Sequence, residues 1–88
     1  MIQLIDFYAD WCGPCIAMKP VFKEVEEQFK GKVAFKKVNV DSDPSEAQKY
    51  GIMSIPTFVI VKDEKEVDRR MGAMPKDQLV SFIQNNLK

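Results

Sequence analysis

The chain is 88 residues long and 45% hydrophobic, enough to bury one compact core, so a single domain over residues 1–88 is expected. Thirteen basic residues balance thirteen acidic ones, which removes the electrostatic footprint of a nucleic-acid binder and the basic block that adheres to an anionic membrane. Met1 leads straight into Ile2-Gln3-Leu4-Ile5, with no basic n-region and no apolar run of about 18 residues, so the sequence reads as a soluble, cytoplasmic protein.

Residues 2–9 are dense in β-formers and stop at a turn-like Asp10, which predicts a buried strand with Asp6 interrupting its apolar run. Cys15, Met18, Phe22, Val25 and Phe29 then recur at spacings of three and four, predicting one buried stripe on a helix that ends near Gly31. Pro20 lies inside that stripe and removes the N–H that would reach the Ile16 carbonyl, so a kink is expected there rather than an end. Val33 to Val40 reads as a second strand. Asp43, Pro44 and Glu46 form an N-cap, N1 proline and capping-box partner for a short helix to Tyr50, closed by Gly51. Thr57 to Val61 is a continuous apolar strand, and the charged turn at 62–65 leads to a polar edge strand from Glu66 to Met71. A last helix starts at Pro75 and buries Leu79, Val80, Phe82, Ile83 and Leu87. The order β-α-β-α-β-β-α predicts an α/β fold whose mixed sheet begins parallel and finishes with an antiparallel hairpin.

The only cysteines are Cys12 and Cys15. Their short spacing does not suit the framework of a small secreted domain, and a bridge closing so small a loop would stabilise the fold by roughly 2 kcal/mol. A structural metal also fits poorly, because the chain has no histidine and no second cysteine pair. A redox pair is the reading left, with an inert short disulfide as its weak rival.

Several motifs in the right order carry a resemblance to the thioredoxin family from Leu4 to the end of the chain. They are Asp6-Phe7-Tyr8-Ala9-Asp10-Trp11-Cys12-Gly13-Pro14-Cys15, Lys19-Pro20, Lys37-Val38-Asn39-Val40-Asp41, the run Tyr50 to Thr57, and Gly72-Ala73. Three departures accompany it. The family usually begins with one more strand and helix, as the shorter core of glutaredoxins does not; Tyr8 stands where tryptophan is frequent; and Ile16 stands where many members carry lysine or arginine. The resemblance implies the thioredoxin fold without that first strand and helix, leaving a four-stranded mixed sheet in the order second, first, third, fourth. It further implies reduction of protein disulfides with no cofactor and no metal. Its implied partners are disulfide-containing client proteins and a thioredoxin reductase, NADPH- or ferredoxin-linked, with the protein itself a monomer. A glutathione-dependent, glutaredoxin-like reductase and a chaperone-like binding module are the alternatives, and the intact cysteine pair with Asp6 and Pro56 weighs against the second.

Cys12, following a strand at a helix start, sits where free N–H groups and the helix dipole favour a thiolate, so it is expected to be the attacking, partly exposed sulfur. Cys15, one turn inward on the buried stripe, is expected to be more deeply buried and to resolve the mixed disulfide. Pro14 stiffens the loop, and in the family such a residue favours the reducing direction. Asp6 shares a strand face with Ile2, Leu4 and Tyr8, where an unpaired carboxylate is costly. It is either a structural ion pair with Lys37 or, as the resemblance implies, a buried proton acceptor for Cys15; the two are compatible. The resemblance also makes Ile55-Pro56 a cis-proline loop that holds an extended client segment, with Trp11, Gly13, Pro14, Gly72 and Ala73 completing an apolar docking rim. Ile16, Met53 and Met74 would widen that rim. The opposite face of the first strand, Ile5 and Phe7, is expected to lack its covering helix and to leave an apolar patch or a weak dimer contact.

Overall fold

The computed structural model describes all residues 1–88. Its elements in chain order are β1 (Ile2–Tyr8), α1 (Gly13–Gln28), β2 (Val33–Asn39), α2 (Pro44–Lys49), β3 (Thr57–Lys62), β4 (Lys65–Met71) and α3 (Lys76–Asn85). The sheet runs β2-β1-β3-β4, parallel between β1 and β2 and antiparallel in the other two pairings, which is the order expected from the sequence. Apolar β1 and β3 take the centre, where each has a neighbouring strand on both sides, and the more polar β2 and β4 take the edges.

α1 begins at Cys12, whose extended backbone makes it the N-cap and whose sulfur accepts from the Cys15 N–H at 3.1 Å. The helix continues through Pro20 because Met18, Phe22 and Val25 hold it onto the sheet on both sides of the missing hydrogen bond. Beyond Phe29 the chain reverses at Gly31, whose φ of +86° is the left-handed conformation that glycine adopts without a Cβ clash. α1 and α3 cover one face of the sheet, where Ile2, Leu4, Phe58 and Ile60 meet Phe22, Leu79 and Phe82.

The opposite face corrects the expectation of a bare patch. Ile5, Phe7, Val38, Val59 and Val61 are all buried within the single chain. The cover comes from α2 and the segment after it: Ala47, Tyr50, Ile52 and Ile55 pack on this cluster, with the Tyr50 ring tilted against Phe7 at 5.5 Å. At the chain end a second correction applies. Leu87 lies beyond the last turn of α3 and is 40% exposed, and Val80 is only half-buried, so Leu79, Phe82 and Ile83 carry the helix's contact with the core. No helix is long and apolar enough to cross a membrane.

Candidate active site

The site forms where β1 ends and α1 starts, at the carboxyl end of the two parallel strands. Ala9 turns the chain, its carbonyl accepting from the Cys12 N–H at 3.2 Å. Cys12 and Cys15 are joined as a disulfide with their Cα atoms 5.2 Å apart. The expected inequality of exposure is absent: each cysteine is only 4% exposed. Cys12 is covered because its sulfur is turned toward its own helix and lies 4.0 Å from the Ile55 carbonyl oxygen, which leaves Gly13 and Pro14 as the exposed part of the loop.

Ile55 and Pro56 come from the segment before β3, and the bond between them is cis. Pro56 is buried, and its carbonyl accepts from the Gly72 N–H at 2.8 Å, so the Gly72-Ala73 turn is drawn alongside. Gly72 has a φ of +93°, a backbone that a side chain would strain. Thr57, also buried, donates its hydroxyl to the Ser54 carbonyl at 2.6 Å and closes the same loop.

Trp11 is 70% exposed, yet its indole N–H donates to Asp41 at 2.8 Å. The ring thereby forms one wall of a mostly apolar hollow of about 200 Å³, with Val40, Ala47, Ile52, Met53, Ser54 and Ile55 as the rest. Met53 stands 95% exposed at its rim. Ile16 is also exposed, but Met74 is not a free rim residue, since it packs against the core and its N–H meets the Met18 sulfur at 3.4 Å.

Asp6 is 5% exposed and its Oδ1 has no hydrogen-bond partner. Burial pushes its pKa up to about 6, against a smaller downward pull from the Lys37 ammonium. Lys37 is the register partner of Asp6 on β2, but the two make no direct ion pair, which corrects the simpler of the two sequence readings. The ammonium sits instead over the Tyr8 ring at 5.0 Å and the Phe22 ring at 5.8 Å. Asp6 occupies the stretch of β1 between Leu4, packed with Met18 and Phe22, and Tyr8, packed on the cysteine cluster.

Three contributors were invisible to residue-by-residue reading. Asp41 stood inside the Lys37-to-Asp41 run, but nothing local signals its bond to an indole 30 positions away. Asn39 is similar: its side-chain oxygen accepts from the Asp41 and Ser42 N–H groups and sets the turn that presents Asp41. Ile52 signalled only a buried position within the Tyr50-to-Thr57 run, not a wall of the hollow.

With this geometry, a thioredoxin family model matches residues 1–85. The chain belongs to the thioredoxin family. It is 43% identical over 86 residues to the thioredoxins of Staphylococcus aureus strains Mu50 and MW2, an alignment covering 98% of this chain and 83% of each relative. A mutant thioredoxin from Halobacterium salinarum NRC-1 superposes with a TM-score of 0.89 at 34% identity, covering 99% of this chain and 75% of that one. Thioredoxins are disulfide oxidoreductases, and the cysteine pair that dithiol-disulfide exchange requires is present and bonded.

Proposed function

We propose that the 88 residues act as one thioredoxin domain that reduces disulfides in client proteins. The observation that carries this reading is the Cys12–Cys15 disulfide at the start of α1, against the Ile55-Pro56 loop. In the reduced protein Cys12 attacks as the thiolate, stabilised by the Cys15 N–H and the helix dipole. One client sulfur leaves as a thiolate and is protonated, and the other is held in a mixed disulfide with Cys12. Cys15 loses its proton to Asp6 and attacks the Cys12 sulfur, forming the intramolecular disulfide and releasing the second client thiol. Two electrons pass from the cysteine pair to the client.

Asp6 suits this task because its pKa of about 6 keeps it largely ionised yet basic enough to take a proton near neutral pH. Lys37 limits the rise without quenching the base by a direct bond. The client segment lies along the cis-proline loop, with Trp11, Gly13, Pro14, Ile55, Gly72 and Ala73 as its apolar bed. A thioredoxin reductase, NADPH- or ferredoxin-linked, returns the electrons. The protein works in the cytoplasm and as a monomer, the monomer reading being supported by the burial of the Ile5–Phe7 face within one chain.

Insulin reduction with and without glutathione tests this reading. Turnover with a thioredoxin reductase and no glutathione is the expected result. Turnover only with glutathione establishes the glutaredoxin-like alternative, and binding to unfolded clients without disulfide reduction establishes the chaperone-like one.

A further inference from the structure

α2 is only six residues long, far below the length at which a helix is stable by itself, so its place is set by tertiary anchors. One is the Tyr50 ring on Phe7. The other comes from β4. Arg69 donates from Nη2 to the Tyr50 carbonyl at 2.6 Å, while Nε and Nη2 grip the Glu66 carboxylate at 2.5 and 2.6 Å. Tyr50 is the C-cap of α2, so this carbonyl lies at the negative end of a helix, where a cation is favoured. Five residues later the same segment supplies Ile55, whose carbonyl lies beside the Cys12 sulfur, and in between it supplies Ile52 and Met53 of the hollow.

We propose that Arg69 is the positioning residue for client docking: by tying the Tyr50 carbonyl to β4 it fixes the 51–55 segment, and with it the walls that receive the client. The inference rests on the docking reading above. Glu66 holds the guanidinium plane so that one N–H points at the carbonyl, a geometry that the planar fork of arginine supplies and a lysine ammonium does not. Arg69 touches neither cysteine nor client. Its loss therefore loosens a wall of the site and leaves the dithiol chemistry alone.

The test compares Arg69→Met, which keeps the apolar stem, with Arg69→Lys and with Trp11→Ala. Each variant is assayed with insulin as client and with hydroxyethyl disulfide, which is too small to span the loop. For Arg69→Met the KM for insulin is expected to rise about fivefold with kcat unchanged within about twofold, the signature of lost binding after one charge-assisted hydrogen bond is removed. The rate with hydroxyethyl disulfide and its pH profile should not move, and Arg69→Lys should recover only part of the KM. Hydrogen exchange of the 51–55 amides supplies a second readout, expected to quicken while that of β1 does not. The proposal is overturned if the insulin KM stays at the wild-type value, or if insulin and hydroxyethyl disulfide rates fall together. It is also overturned if Arg69→Met fails to fold and Arg69→Lys shows wild-type KM and exchange. If Trp11→Ala also leaves the insulin KM untouched, the docking reading itself fails. If Trp11→Ala raises it and Arg69→Met does not, only the role of Arg69 fails.

Discussion

The two faces of β1 are built from one seven-residue strand, yet they do different work. On the α2 side Ile5 and Phe7 join an all-apolar cluster and stop at cohesion. On the α1 side the alternation Ile2, Leu4, Asp6, Tyr8 places a carboxylate oxygen with no hydrogen-bond partner in the core, on the way to the cysteines. An orphaned buried acceptor costs about 1–3 kcal/mol or more. Its presence on one face only makes β1 a support on one side and, on the function proposed above, a proton-handling element on the other.

The largest expected effect breaks the α1 side outright. Cys12→Ser should abolish attack on client disulfides, whereas Cys15→Ser should still attack and stall as a long-lived mixed disulfide, because the resolving sulfur is gone. Mass spectrometry of adducts decides it, and a Cys12→Ser protein that traps client would reverse the two roles. On the other face the expected loss is of stability. Phe7→Ala should lower the unfolding free energy by about 3–5 kcal/mol through the cavity left beside Tyr50. Denaturant unfolding measures this, and a loss under 1 kcal/mol, within the approximate range of surface changes, would mean that α2 does not seal that face.

Asp6→Asn sharpens the contrast because it should separate stability from rate. The carboxyl is pushed from 3.8 up to about 6, so the folded chain holds its proton more tightly than the unfolded chain does. Its ionisation therefore costs stability progressively as pH rises from about 4 through 6, by roughly 3 kcal/mol in full. The variant should gain on the parent at pH 7 and lose that advantage by pH 4, while resolving mixed disulfides more slowly near neutral pH, a deficit that shrinks below about pH 6 as the parent's carboxyl is itself protonated. A difference in stability that ignores pH would remove Asp6 as the titrating group. The smallest effect belongs to the rim: Met53→Lys, at a residue 95% exposed, should change stability by less than about 0.5 kcal/mol and weaken docking of apolar clients a few-fold. Unchanged KM values across several clients would mean that the exposed methionine is incidental.

What the sequence determined by itself was everything that local periodicity and capping chemistry control. Alternation set β1, the three-and-four spacing set the buried stripe of α1, and Asp43 with Pro44 set the start of α2, its carboxylate accepting from the Glu46 N–H at 3.2 Å. The strand order followed from the resemblance to the thioredoxin family, and the redox pair from the short Cys12–Cys15 spacing in a chain with no histidine and no other cysteine. Tertiary structure decided what covers what. The cover of Ile5 and Phe7 was not legible because α2 is short and polar, with no buried residue of its own, and the cover comes from half-buried Ala47, Tyr50, Ile52 and Ile55, with the Tyr50 carbonyl tied back to β4 by Arg69. The exposure of Cys12 was set by Ile55, a residue 43 positions away. The relation of Asp6 to Lys37 depended on where two rings placed an ammonium. Periodicity tells which side of an element seeks burial, because that depends on neighbours within a turn or two; which distant segment satisfies it depends on contacts that only the folded chain brings together.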